Sequence, residues 1–299
     1  MKSKSPTLII FFIVVSSLAA PVCLAQTRAT VAAWNLGGFE PIPPQRVDRL
    51  ARVIRRMDPD VIALTEVNPA ASVLQRLDDQ LTAMGRDYSF IFFEENAFQN
   101  IALLFKDGVQ VTDQELIPGS DDNNSDLRKA LAAKVRLRNF DFILITVHMK
   151  SARSNADRAI RTRQATAIAN YIRSETSGNE RDVLVVGDYN MIPGDDQVNF
   201  SAMSPGPNNN EFLRFVSTER FTGQTSHISA CNPLRGNLLD GYAISRAHTR
   251  EFLDIRMLTL TDPIFELPNN QRRCTNYKGF ISDHFPMIAR FRINRPDDD

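Results

Sequence analysis

Asp182 to Asn190 reads DVLVVGDYN, an apolar β-branched run that stops on Gly-Asp-x-Asn. Its length and composition predict a buried strand, and the Gly, Asp and Asn that follow favour a turn. Upstream, FDFILITVHM from Phe140 has the same character and runs out just past His148. Between them lies ADRAIRTRQATAIANYIR from Ala156, which sets Ile160, Ala167, Ile168 and Ile172 on one face of a helix. Strand, helix, strand in succession predicts parallel pairing.

The same grammar extends in both directions. TVAAWNL from Thr30, DVIALTEV from Asp60, NIALLFK from Asn100, ALAAKVRL from Ala130, LLDGYAIS from Leu238 and MIARFRI from Met287 all read as strands. RVDRLARVIRRM from Arg46 aligns Val47, Leu50, Val53, Ile54 and Met57 on one helical face, and SVLQRLDDQLTAM from Ser72 is another helix. Tyr88–Phe98 reads as a core strand plus loop. Ile117–Lys129 and Ser204–Asn210 are polar, Gly/Pro-bearing surface loops, and RPDDD at the end is a frayed tail. Early strands alternate with helices and later ones follow one another directly, so a mixed α/β architecture is expected, in one domain from about Thr27 to Arg295.

With 43% hydrophobic residues in 299, the chain has enough apolar material for a sizeable core. Lys plus Arg and Asp plus Glu are 35 each, which excludes gripping nucleic acid by bulk charge. Any anion must be held by local cations or a metal. Lys2 and Lys4, the apolar run Thr7–Ala20 and the small-residue pattern before Gln26 predict a signal peptide over residues 1–25. The run is short for a membrane span. Secretion, extracellular or periplasmic, is therefore expected, with no membrane anchor after cleavage. Removal of Cys23 leaves Cys231 and Cys274, which form a disulfide or stay as two buried thiols; the oxidising compartment favours the disulfide.

Chemistry gathers at strand ends. Asn35 ends the first predicted strand and Glu66 the second; His148 ends another, and Asp188 with Asn190 the next. Asp240 interrupts LLDGY, and Asp283 with His284 precede the last strand in SDHFPM. Loops converge on such ends in α/β sheets. Each residue alone has a plain reading as turn former, cap or core histidine. As a set they fit one site. Carboxylate and amide oxygens from Asn35, Glu66 and Asp283 suit a hard divalent cation. Asp188, Asn190 and His284 suit orientation and deprotonation of a water. His148, Lys150 and Arg128 suit charge building on a phosphate. Asp240 suits the task of fixing the His284 tautomer.

In order, WNLGGF, ALTEV, TVHMKS, VVGDYNMIPGD, LLDGYAIS and SDHFPM resemble the endonuclease/exonuclease/phosphatase superfamily of DNase I and exonuclease III, from Trp34 to Met287. The resemblance implies a four-layer α/β sandwich, two packed mixed β-sheets with helices on the outer faces. It also implies divalent-metal-dependent hydrolysis of a phosphate ester without a covalent intermediate, with Mg2+ first and Ca2+ or Mn2+ as alternatives. It assigns Asn35, Glu66 and Asp283 to the metal site, His148 and Arg128 to the phosphate, Asp188 and Asn190 to the attacking water, and Asp240 to His284. The family's IDYI pattern appears here as LDGY, with a Gly after the acid. Lys150 matches HMKS-type members. Arg158, Arg161 and Arg163 follow that loop, either tracking a nucleic-acid backbone or forming a solvated helix face.

A secreted nuclease acting on DNA, and in a wider reading RNA, is the leading expectation, working as a monomer without a stable protein partner. A sphingomyelinase-like hydrolase is the alternative, and a catalytically inactive binding module the minor one.

Overall fold

The computed structural model describes residues 27–37, 41–95, 99–178, 180–204 and 212–294. The expected signal segment 1–25, most of the Ser204–Asn210 loop and the RPDDD tail lie outside them.

Two six-stranded sheets form. One contains β1 (Arg28–Asn35), β2 (Val61–Val67), β3 (Tyr88–Phe92), β4 (Asn100–Lys106), β13 (Phe252–Met257) and β14 (Met287–Arg292), ordered β13-β14-β1-β2-β4-β3. The other contains β5 (Gln110–Leu116), β6 (Leu131–Leu137), β7 (Phe140–His148), β8 (Val183–Asp188), β9 (Leu213–Arg214) and β12 (Asp240–Ser245), ordered β5-β6-β7-β8-β12-β9. A separate hairpin pairs β10 (His227–Cys231) with β11 (Leu234–Asn237). The helices are α1 (Pro44–Met57), α2 (Ala70–Ala83), α3 (Asn155–Glu175), α4 (Gln197–Met203), α5 (Val216–Phe221) and α6 (Arg273–Phe280).

Side-chain parity explains why the sheets stack. Phe142 and Leu144 of β7, Leu184 and Val186 of β8, and Tyr242 and Ile244 of β12 join the core between the sheets. Their odd-numbered neighbours Ile143, Ile145, Val147, Val183, Val185 and Ala243 join a second core with Ala165, Ile168 and Ile172 of α3 and Phe200 and Met203 of α4. A strand alternates faces, so uninterrupted apolar runs are those covered on both sides. Across the inner interface Phe291 stacks on Phe140 at 5.2 Å, and the Tyr242 hydroxyl donates to Val31 O at 3.4 Å. Val47, Leu50, Val53 and Ile54 seat α1, and Val73, Leu74, Leu77 and Leu81 seat α2, on the first sheet. The result is the expected four-layer sandwich. Ser154 and Asp157 close a capping box that starts α3 cleanly.

The pairing places the site. β1 runs parallel to β2 and β7 parallel to β8, as the alternation predicted. β14 is antiparallel to β1, and β12 to β8. The C-terminal ends of β1, β2, β7 and β8 therefore share an edge with the N-terminal ends of β12 and β14. Some strands go beyond the sequence reading. β5 is an exposed edge, QVTDQEL, and β10 and β11 are short and partly polar, so none has an apolar run. A disulfide joins Cys231 at the end of β10 to Cys274 in α6, with Cα atoms 5.6 Å apart.

Candidate active site

Local backbone aims the first residues. The β2–β4 register shifts between Leu64 and Val67, and Glu66 within that bulge has φ +57°. A bulge breaks the alternation and re-aims a side chain. Asn190, after β8, has φ +50°. Left-handed backbone at a non-glycine residue is costly and persists where surroundings enforce it. Here Asp188 Oδ1 accepts from Asn190 N–H at 2.8 Å, and the Asn190 amide donates to Met149 O at 3.0 Å.

The side chains converge from both sheets. Glu66, Asp188 and His284 each offer a ligand atom, all within 4.8 Å of one another. The Asn35 amide nitrogen donates to Glu66 Oε1 and Asp188 Oδ2, both at 3.0 Å, and its oxygen accepts from Gly37 N–H at 2.8 Å. Asn35 thus holds the two carboxylates together. His148 Nε2 stands 3.5 Å from Glu66 Oε1 and 3.7 Å from Asp188 Oδ2. Asp240, opposite Asp188 in the ladder, places Oδ2 2.8 Å from His284 Nδ1.

The loop carrying Asp283 and His284 is pinned through its backbone. His284 O accepts from Trp34 Nε1 at 3.0 Å and from the Tyr277 hydroxyl at 2.7 Å. Ser282 Oγ donates to Asn35 O and accepts from His284 N–H. Ser226 Oγ accepts from the Leu239 and Asp240 amides at 2.9 and 3.0 Å, fixing the other half of the His–Asp pair. The Gly in LDGY has a steric cause: a Cβ on Gly241 would lie 2.1 Å from the Tyr189 ring. The departure from the family's pattern makes room for that ring and leaves Asp240 in register.

Charge follows from crowding. Burial lifts the Asp188 carboxyl to about 7; Asp240 and Glu66 add to the rise, while His284 and the Asn190 amide oppose it. Burial alone would lower His284, but the charge and hydrogen bond of Asp240, with Asp188 and Asp283, raise it to about 10. Burial, with the positive charges of Arg128 and His284, holds His148 well below the ordinary histidine value. Near neutral pH His284 is an imidazolium and His148 a neutral imidazole.

Arg128 is buried and near enough to His148 for its charge to be felt. The Lys150 amine turns to Asp157 at 3.1 Å and Ser151 O at 3.0 Å. The three α3 arginines all pair with acids, but only Arg161 is shut away from solvent. Arg161, fully buried, donates to Lys150 O, Ala152 O and Asp196. Arg158 joins Asp196, and Arg163 pairs with Asp122. Sequence reasoning missed two neighbours of the site. Arg46 in α1 donates to Ile281 O, Gly37 O and Leu36 O, and lies close to Asp283 and Glu66. The His227 ring lies against that of His284, tilted by 46° with ring centroids 4.7 Å apart.

The residues present fit a divalent cation. Glu66 and Asp188 supply oxygens within the close group; the protonated His284 stands beside them as a donor and positive charge rather than a ligand. Asp283 lies outside that group. Among the described residues its Oδ1 is buried without a hydrogen-bond partner, against Gly37, where a Cβ would come within 1.9 Å. Crowded carboxylates that raise one another's proton affinity are also what a cation relieves.

The endonuclease/exonuclease/phosphatase family model matches residues 32–250. The chain belongs to this family. Tyrosyl-DNA phosphodiesterase 2 of Rattus norvegicus is 28% identical over 159 residues, which cover 53% of this chain and 40% of that protein. The Mus musculus protein of the same name is 27% identical over the same length. The chain thus spans well under half the length of these curated relatives. Among solved structures, D. rerio TDP2 complexed with single strand DNA product superposes with TM-score 0.66 at 17% identity, over 89% of this chain and 100% of that one. A family member from Bacteroides thetaiotaomicron gives TM-score 0.64 at 13% identity, covering 90% and 99%. Both support the family's two-sheet sandwich.

Proposed function

We propose that the chain is a divalent-metal-dependent phosphodiester hydrolase of nuclease type, cleaving DNA and, more broadly, RNA. The observation that carries this reading is the convergence of Glu66, Asp188 and His284 within 4.8 Å, with His284 held by Asp240. The tyrosyl-DNA phosphodiesterase relatives support a nucleic-acid phosphodiester as substrate. Glu66, with Asn35 and Asp283 beside it, would hold the cation, Mg2+ before Ca2+ or Mn2+. When bound, the cation supplies positive charge for the phosphoryl oxygens.

The chain's own residues do the rest. Asp188, whose carboxyl burial raises to about 7 in the metal-free site, orients a water with Asn190 and is placed to take its proton. The His284 imidazolium, steadied by Asp240, offers an N–H and a charge to the negative phosphoryl oxygens. This moves the base from His284 to Asp188. His148, neutral, acts as a hydrogen-bonding group on the phosphate, and Arg128 adds charge beside it. Lys150, tied to Asp157, stabilises the loop that carries Met149 O toward Asn190.

The chain is further proposed to be secreted and monomeric; the basic and apolar start and the Cys231–Cys274 disulfide support secretion. A panel tests the whole reading. Supercoiled DNA, single-stranded DNA, a tyrosyl-DNA conjugate, RNA and sphingomyelin liposomes are incubated with Mg2+, Ca2+ or Mn2+. Cation-dependent cleavage of nucleic acid supports it, and phosphocholine release without nucleic-acid cleavage overturns it.

A further inference from the structure

His227 has no part in the chemistry above, yet the fold secures it tightly against the site. Its backbone bridges antiparallel to His284. Ile228 N–H donates to Asp283 O at 2.7 Å, and Phe285 N–H to Ser226 O at 2.8 Å. The start of β10 is thus sewn to the loop carrying Asp283 and His284. Its other end is anchored to α6 by the Cys231–Cys274 disulfide and by Lys278 Nζ, which donates to Ile228 O at 2.8 Å and Ser229 O at 3.2 Å.

The ring is placed between solvent and chemistry. The side chain is 26% exposed, and Nε2 stands 3.9 Å from Asp283 Oδ2, beyond direct hydrogen-bond reach. Nδ1 is buried and, among the described residues, has no hydrogen-bond partner; Asp283 Oδ1 is in the same condition. Buried polar atoms nearly always have partners, so the unpartnered His227 ring beside the site keeps hydrogen-bonding capacity that a ligand or ordered water can use. A histidine held only for packing would not require a polar ring so close to the reacting groups.

We propose that His227 is a further substrate-contacting residue, whose imidazole N–H donates a hydrogen bond to a phosphate oxygen of the bound phosphodiester beside His284. This rests on the hydrolase reading for its substrate. The ligand chemistry is that of a phosphate oxyanion, which accepts from donors and offers none. The disulfide-anchored hairpin serves to hold that donor in place.

Two measurements test it. In the metal-free full chain, inorganic phosphate is titrated while imidazole nitrogen resonances are followed by NMR. Separately, His227→Ala and His227→Gln are assayed on bis(p-nitrophenyl) phosphate with Mg2+ or Mn2+. The expected result is a saturable shift of the His227 ring signals. kcat/KM should fall about 10- to 100-fold in the alanine variant, the effect of one lost charge-assisted hydrogen bond. Glutamine, which keeps a side-chain N–H, should recover part of the loss. Unmoved His227 signals, or wild-type kcat/KM in H227A, overturn the proposal. If the wild-type chain cleaves no phosphodiester, the hydrolase reading fails and the phosphate titration alone decides whether His227 binds phosphate.

Discussion

Asp240 Oδ2 lies 2.8 Å from His284 Nδ1, and both side chains are buried. Asp240 is set by its ladder position opposite Asp188 and by two amide donors to Ser226, so the imidazole meets a carboxylate that is already fixed. Replacing Asp240 with Asn keeps the shape and removes the charge. D240N should lower kcat by about 100- to 10,000-fold, the range for a central acid–base group. NMR titration of the metal-free variant should show the His284 pKa well below its wild-type position near 10. An unmoved His284 titration would show that Asp240 does not set its charge.

The two raised groups make stability pH-dependent with one sign. His284 is raised to about 10 and Asp188 to about 7, each above its ordinary value. The folded state therefore holds these protons where the unfolded state has released them. Their stabilisation is full below the unfolded values and is lost as pH rises, for Asp188 between about 4 and 7 and for His284 between about 6.5 and 10. Metal-free protein should show a larger loss of unfolding free energy across this range than an Asp188→Asn/His284→Gln double variant, measured in urea. Equal slopes would remove the coupling. Saturating Mg2+ should flatten the wild-type slope.

Two arginines two residues apart, on opposite faces of α3, should behave oppositely. Arg161 has a side chain 0% exposed and joins Asp196 to two loop carbonyls, whereas Arg163 is 57% exposed and pairs with Asp122. R161A leaves a buried acid short of a partner and should cost about 3–5 kcal/mol. R163A should cost less than about 1 kcal/mol. Chemical denaturation of both variants checks the contrast, and similar costs would contradict the assignment.

Breaking the Cys231–Cys274 link frees the β10–β11 hairpin from α6. The Cys231→Ser/Cys274→Ser variant should lose roughly 2–4 kcal/mol. It should also lose part of its activity, because Ser226 and His227 lie at the base of that hairpin. Thermal melts and kinetics under matched conditions test both effects. An unchanged melt would show that the hairpin is held without the bond.

What the sequence made legible follows from how local each signal is. The runs around Val183–Asp188 and Phe140–His148 are buried on both faces, so their apolar character is continuous and their pairing inferable. The strand-end acids and histidines were visible because each interrupts such a run. β5 was not, since an edge strand reading QVTDQEL buries little. Arg161 gave no sign of burial because its partner Asp196 is 35 residues away and beyond the next strand. His227 sits in a short polar hairpin, and only the bridge to His284, 57 residues later in sequence, brings it to the site. The reassignment of the base from His284 to Asp188 rests on the burial of Asp188 and on the acids gathered around His284, which no spacing displays.

The most direct test of the central claim is nicking of supercoiled plasmid by the wild-type chain and by His284→Ala, each with Mg2+ or Mn2+ and with EDTA. The account predicts cation-dependent nicking that EDTA abolishes, and a loss of about 100-fold or more in H284A. No nicking by wild type with any cation, or equal rates for the two proteins, would contradict it.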